Sequence, residues 1–186
     1  MPHEIITDLH HIQRTTVAHE ADNLAFRTFV TLEVPLSDRP LNALVQETTA
    51  AVWQHIDCRE CANCCRVRQP VFSRAEATRI AAYLGLTLED IRTRYLQSDA
   101  DMGKYITRTL PCPFLDGALC SIYEVRPAVC AQYPHLHRNF RSRLPQVLDN
   151  AETCPIVYNV VERLKRTLGF VDSAPTGENP GVTPPA

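Results

Sequence analysis

Four cysteines fall within eight residues of the chain: Cys58, Cys61, Cys64 and Cys65. Charged neighbours such as Arg59 leave these cysteines without an apolar face, so core packing does not explain their presence. The thiolate is both a nucleophile and a soft metal ligand. A run of thiols at this spacing therefore indicates disulfides, a redox pair or a metal site.

The remaining four cysteines lie in a later part of the chain that is rich in turn residues. They are Cys112, Cys120, Cys130 and Cys154. Structural free cysteines would scatter through apolar core positions, whereas all of these belong either to the tight run or to loops that can fold over it. All eight are candidate metal ligands.

Metal binding is favoured over the two other thiol chemistries. The N-terminus carries Glu4 and Asp8 and has no apolar h-region, so we predict a cytoplasmic protein whose thiols stay reduced. A thioredoxin-like site would need its C-x-x-C pair inside a βαβ pattern, which the sequence around CREC and CANC lacks. Two thiolates at C-x2-C spacing can instead coordinate one metal ion from a tight turn.

The ligand set depends on the backbone through the cysteine run. If one helix runs through it, Cys58, Cys61 and Cys65 share a face and Cys64 points about 100° away. If the backbone wraps, Cys58, Cys61 and Cys64 repeat the C-x2-C-x2-C spacing of three iron–sulfur ligands. Eight thiolates suffice for two four-cysteine sites, or for one cluster with spare thiols.

The metal itself is predicted from spacing. All-thiolate sites suit both zinc and iron–sulfur clusters. The C-x2-C-x2-C run, and remote cysteines followed by proline as in Cys112–Pro113 and Cys154–Pro155, favour an iron–sulfur cluster of the [4Fe–4S] type. Zinc is the alternative.

The ordered motifs resemble the CxxCxxCC cysteine-cluster family, also called YkgJ-like and described as a zinc- or iron-chelating domain. The residues that carry the resemblance are the first cysteine run, the segment CPFL from Cys112, the segment CSIYEVRPAVC from Cys120 to Cys130, and Tyr133–Pro134. It covers about residues 55 to 157 and implies metal binding. A similar arrangement in flagellin lysine methylases, associated with an iron–sulfur cluster, adds weight to that cofactor. Because this chain is much shorter, methylase activity does not carry over.

Arg126 and Tyr123 lie between two of the candidate ligands and are predicted to contact the cofactor. In one interpretation Arg126 faces cluster sulfurs or an anionic ligand. In the other it pairs with Glu124 or caps a helix, since a guanidinium suits both roles.

Hydrophobic periodicity predicts a small, mainly α domain with irregular cysteine-bearing loops packed around a metal centre. Helices are expected at 41–56, 74–84, 88–96 and 156–168. The domain would span 37–170, with a disordered Pro/Gly-rich tail at 171–186. Residues 1–36 form a partly extended N-terminal segment, because apolar residues alternate from Leu24 to Val34.

Two functions follow from these features. The favoured one is a metal-binding module, serving in electron transfer, metal handling or assembly of a partner protein. The alternative is a cluster-dependent, methylase-like enzyme with an open iron site, although no acid–base constellation stands out. The formal net charge of −2 gives no sign of nucleic-acid binding, and no stretch approaches the roughly 18 apolar residues that would cross a membrane.

Overall fold

The computed structural model describes residues 4–100, 103–136 and 138–171. This part of the chain is mainly α-helical, as predicted. Residues 172–186 of the predicted disordered tail lie outside the described residues. Within the described part, no helix is both long enough and apolar enough to cross a membrane.

Helices account for both ends of the described chain. They are α1 (Leu9–Ala18), α2 (Glu20–Leu32), α3 (Asp38–Trp53), α4 (Cys58–Cys61), α5 (Asn63–Val67), α6 (Arg74–Tyr83), α7 (Leu88–Arg94), α8 (Ala128–Ala131), α9 (Phe140–Ala151) and α10 (Pro155–Thr167). A short 3-10 helix spans Tyr123–Val125.

The first hydrophobic core is a helical bundle built on α10. Helices α2, α3 and α9 contribute side chains such as Phe26, Val45 and Leu144, which pack with Val157 of α10. The chain turns after α10 at Gly169, whose φ of +77° suits a residue without a Cβ. This turn brings Phe170 to 5.3 Å from Phe26, measured between ring centroids.

The second hydrophobic core lies between α6, α7 and short strands. Strands β1 (Val71–Phe72), β2 (Leu96–Asp99) and β3 (Lys104–Thr107) form an antiparallel sheet in the order β1–β3–β2. Strands β4 (Leu115–Asp116) and β5 (Leu119–Cys120) form a separate hairpin. Phe72, Ile80, Ile91 and Phe114 are buried between these elements. The cysteines lie where the two cores meet.

Several predicted helix boundaries are confirmed. Ser73 and Glu76 form a capping box at the start of α6, and Gly85 takes a positive φ of +68° just beyond its end. Thr87 caps α7 through a second box with Asp90. Ser37 occupies the N-cap position of α3, but its hydroxyl makes no capping hydrogen bond.

The extended segment predicted between Leu24 and Val34 is wrong, because α2 occupies most of it. The alternation of apolar residues there does not report burial, since Leu24 is 60% exposed and Leu32 is 76% exposed. The buried face is helical instead and includes Phe26 and Val30. Packing against the α9–α10 pair therefore sets the structure of this segment.

Helix α9 was not anticipated from the sequence. It contains Pro145, which cannot donate a helical hydrogen bond. The proline is on the exposed side, while Phe140, Leu144 and Val147 are buried at helical spacing. Burial of this face compensates for the missing bond.

The N-terminal segment is tied to the bundle by one buried amide. The Asn159 side chain accepts from the Ile6 N–H at 3.0 Å and donates to the Ile6 carbonyl at 2.7 Å. Its amide nitrogen also donates to the Pro155 carbonyl at 2.7 Å. Asn159 is fully buried, so water cannot replace these hydrogen bonds.

Replacing Asn159 with alanine is expected to lower the free energy of unfolding by about 1–3 kcal/mol, because the backbone groups of Ile6 lose their partner in a buried place. Chemical denaturation measures this change. The control is Gln13→Ala, which removes an exposed hydrogen bond to Glu152 and should shift stability by less than about 0.5 kcal/mol. Equal changes in stability from the two substitutions would contradict a stabilising role for the Asn159 hydrogen bonds.

Candidate metal centre

The first cysteine run is divided between two short helices. Asp57 caps α4 by accepting from the Arg59 N–H at 2.8 Å. After Cys61 the backbone breaks at Ala62, which is buried and has a φ of +46°. The chain then re-enters helical geometry in α5. A single helix through all four cysteines, one of the two expectations, is therefore wrong.

Helix α5 is fixed from both sides. The Asn63 side chain donates to the Thr153 carbonyl at 2.8 Å, next to Cys154. The Cys112 N–H donates to the Cys65 carbonyl at 2.8 Å. Two remote cysteines are thus attached to opposite ends of the Asn63–Cys65 segment. Between those ends, the sulfur atoms of Cys64 and Cys65 are 4.0 Å apart.

The β4–β5 hairpin brings Cys120 to Cys112. Leu115 pairs with Cys120 across the hairpin, and the Leu115 N–H donates to the Cys112 carbonyl at 2.9 Å. The Ser121 N–H adds a hydrogen bond to the Phe114 carbonyl at 2.8 Å. The two cysteines are therefore held on one compact backbone unit.

Cys130 and Cys154 come from helix termini. Cys130 lies in α8, whose Ala128 N–H donates to the Glu76 carboxylate at 2.7 Å. Glu76 belongs to α6, so α8 is anchored to the second core. Cys154 is the N-cap residue of α10 and belongs to the first core.

All eight cysteines are free thiols, and their exposure varies. Cys58 is exposed, Cys112 and Cys154 are buried, and the other five are intermediate. Burial raises the pKa of Cys112 to about 11 and that of Cys130 to about 12. It also raises the pKa of Cys154 to about 11, although the Ile156 and Val157 N–H groups act in the opposite sense.

The vicinal pair shares one hydrogen bond between its sulfur atoms. This bond lowers the pKa of Cys65, and the Arg66 guanidinium lowers it further against the effect of burial. The same bond raises the pKa of Cys64, as does burial. Cys65 is therefore the member of the pair that ionises first.

Arg126 and Tyr123 pack on each other near the thiols. The Arg126 guanidinium lies 3.7 Å from the Tyr123 ring centroid and donates to the Tyr123 carbonyl at 2.6 Å. Burial raises the pKa of both Cys120 and Cys130, and the Arg126 charge partly offsets this effect. The contact with the cofactor remains a prediction, and the charge of Arg126 suits it.

Arg66 and Arg68 also hold the cysteine run in place. Arg66 donates to the Cys61 carbonyl at 2.6 Å and to the Gly117 carbonyl at 3.4 Å. Arg68 donates to the Asp149 carbonyl at 2.7 Å and to the Thr153 hydroxyl, next to Cys154, at 3.3 Å. The contacts with Gly117, Asp149 and Thr153 are tertiary, so no local sequence signal indicates them.

Tyr133 is a further residue that the sequence analysis left without a role. Its hydroxyl is buried and has no hydrogen-bond partner of ordinary geometry among the described residues. Burial raises its pKa, and the neighbouring thiolates of Cys154 and Cys64 add to this effect. A buried hydroxyl facing sulfur atoms can donate to thiolates once these are ionised.

These features fit a thiolate-bound metal or cluster. The donor set is soft, and the Phe114 and Ile122 N–H groups lower the pKa of Cys112 and Cys120 against the effect of burial. Such N–H groups stabilise the charged form. Within the described ranges, no group of three or more His, Cys, Asp or Glu side chains already has metal-coordinating geometry.

Comparison with known proteins identifies one family. A family model described as "CxxCxxCC: Putative zinc- or iron-chelating domain" matches residues 57–155, more than half of the 186 residues. The match begins one residue before Cys58 and ends one residue after Cys154, so it contains all eight cysteines. No curated protein and no solved structure matches the chain.

Metal affinity is expected to rise with pH. The thiols of Cys112 and Cys130 have pKa values of about 11 and 12, so both hold protons at neutral pH and must release them to bind a metal. Each released proton makes the affinity change about tenfold per pH unit. A site that uses both should lose at least about a hundredfold in Zn²⁺ affinity for each unit between pH 8 and pH 6. Chelator competition measures this, and a flat profile would exclude these thiols as ligands.

Replacing Tyr133 with phenylalanine is expected to lower Zn²⁺ affinity about tenfold, because a hydrogen bond to a thiolate is lost. The melting temperature of the metal-free chain should change little, since a neutral Cys154 thiol is only a weak acceptor for this hydroxyl. Tyr158→Phe is the matched control, because its hydroxyl faces Thr15 of α1. Unchanged affinity in Tyr133→Phe would show that its hydroxyl does not act on the sulfur atoms.

Proposed function

Because the chain belongs to the CxxCxxCC family, whose description is that of a zinc- or iron-chelating domain, we propose that it is a metal-binding module holding an iron–sulfur cluster. Cysteine thiolates would be the ligands, and the [4Fe–4S] type is favoured over zinc. The module would serve in electron transfer, metal handling or the assembly of a partner protein.

The observation that carries this proposal is the convergence of thiols from six separate elements or loops. Cysteines that are up to 96 residues apart in sequence are joined by tertiary hydrogen bonds, such as Asn63 to Thr153 and Cys112 to Cys65. Ionised thiolates repel one another unless a cation lies between them, so such a gathering favours metal binding. Charge of the required sign is supplied nearby by Arg66 and Arg126.

The choice of an iron–sulfur cluster over zinc rests on spacing and on the surroundings of the sulfur atoms. The break at Ala62 makes the backbone wrap between the first two and the last two cysteines of the run. The C-x2-C-x2-C spacing is typical of iron–sulfur ligands. Hydrogen bonds from backbone N–H groups to cysteine sulfur are among the factors that set the reduction potential of an iron–sulfur cluster. When bound, such a cluster supplies one-electron transfer.

A role in exchange with a partner is supported by the position of Cys58. It is the exposed member of the eight cysteines and lies at the start of α4 beside the Asp57–Arg59 ion pair, whose charged atoms are 2.8 Å apart. A centre with one accessible edge can pass an electron or a metal to a docked protein. We place this activity in the cytoplasm, because reduced thiols persist in that compartment.

The alternative function is a cluster-dependent, methylase-like enzyme with an open iron position. The accessible edge at Cys58 is the one feature that suits it. Loss of the Cys58 thiol distinguishes the two functions. In a module, Cys58→Ser would reduce the metal content. In an enzyme with a spare thiol there, the metal would stay and only the activity would be lost.

Anaerobic purification tests the proposed cofactor. The protein is expected to be brown, with broad visible charge-transfer absorption and with iron and acid-labile sulfide in equal amounts. A variant with serine at both Cys61 and Cys65 should be colourless, while Ser98→Ala in strand β2 should retain the colour. A colourless wild-type protein carrying stoichiometric zinc and no sulfide would assign the centre to zinc. A protein that binds neither metal would contradict the proposed function.

A further inference from the structure

Four of the eight cysteines are attached to one or the other of the two hydrophobic cores. Cys154 is part of the first core. Cys112 is part of the second core, and Cys65 and Cys120 pack against it. Cys65 packs against the second core, and Asn63, two residues earlier, donates to the Thr153 carbonyl beside Cys154 of the first core, so links to both cores leave the chain within three residues.

We propose that the cysteines form two separate four-thiolate sites, joined at the Cys64–Cys65 peptide. Site 1 consists of Cys58, Cys61, Cys64 and Cys154. Site 2 consists of Cys65, Cys112, Cys120 and Cys130. This inference rests on the proposed metal-binding function and adds the number of centres and the partition of the ligands.

Site 2 is supported by direct backbone links around Cys65. The Cys112 N–H donates to the Cys65 carbonyl at 2.8 Å, and the β4–β5 hairpin holds Cys120 beside Cys112. Cys130 lies in α8, which is held against α6 by the hydrogen bond from the Ala128 N–H to the Glu76 carboxylate at 2.7 Å. Every element that carries a site 2 ligand is therefore attached to the second core.

Site 1 is supported by the helical turn of α4 and by the link from α5 to the residue before Cys154. Cys58 and Cys61 are three residues apart in one helical turn, so their side chains lie on the same face of α4. The Asn63 side chain donates to the Thr153 carbonyl at 2.8 Å and places Cys64 beside Cys154. The buried Tyr133 hydroxyl lies beside these last two thiols.

Two sites also agree with ligand number. Four cysteines close one tetrahedral zinc site or saturate one four-iron cluster. A single centre would leave four thiols over and would have to combine ligands from both cores. The sulfur atoms of Cys64 and Cys65 are 4.0 Å apart, so the two centres would be immediate neighbours.

The test uses Zn²⁺ as the probe, counted by native mass spectrometry on the full, reduced chain under anaerobic conditions. The wild-type chain should bind two equivalents. Cys58→Ser with Cys61→Ser should lose one equivalent, and Cys120→Ser with Cys130→Ser should lose the other. The matched control changes one residue of each site, Cys58→Ser with Cys120→Ser, and should lose both equivalents although it also removes only two thiols.

Each result has a separate meaning. One equivalent in the wild-type chain, or equal loss from all three double variants, would overturn the two-site partition and leave metal binding intact. No bound zinc, together with no iron–sulfur cluster after anaerobic reconstitution, would overturn the proposed function itself. If circular dichroism shows that a double variant does not fold, the wild-type chain loaded with two zinc equivalents is used instead. Its zinc is removed stepwise, and the thiols that react with an alkylating reagent are identified at each step. Thiols should then become reactive in the two proposed groups of four, and a different grouping would overturn the partition.

Discussion

Burial of sulfur between two hydrophobic cores is the constraint on which this structure depends. A buried thiol favours its neutral form, whereas a metal requires the thiolate. The surroundings of Cys112 and Cys154 contain both influences, since burial raises the pKa of each thiol and nearby N–H groups lower it. The balance allows the thiols to lie together as neutral groups and still to ionise when a cation arrives.

The same junction explains why so many contacts there involve backbone carbonyls. Arg66 donates to the Gly117 carbonyl and Arg68 to the Asp149 carbonyl, each in a distant segment. Among the described residues, neither guanidinium forms a salt bridge to a carboxylate, and the Arg66 charge lowers the pKa of Cys65. Positive charge fixed at this position favours a thiolate-rich, negatively charged centre.

The fold was predictable where local sequence determines it. The capping boxes at Ser73 and Thr87, and the proline that starts α10, are local signals, and their helices form as expected. Tertiary packing decided the rest. Phe26 is buried in a core that includes residues of α9, and Pro145 makes α9 difficult to predict from the sequence. For the site, the residue types indicated metal chemistry, but the relation between thiols depends on contacts such as Asn63 to Thr153, which no spacing rule contains.

The left-handed residue Ala62 has a consequence for the meaning of the cysteine spacing. It separates the run into two short helices, one carrying Cys58 and Cys61 and the other carrying Cys64 and Cys65. Adding one residue between the two cysteines of either helix would rotate the second by about 100°, whereas the longer loops elsewhere can accommodate an added residue at their surface. The spacing from Cys58 to Cys65 is therefore fixed, and the spacings to the remote cysteines can vary.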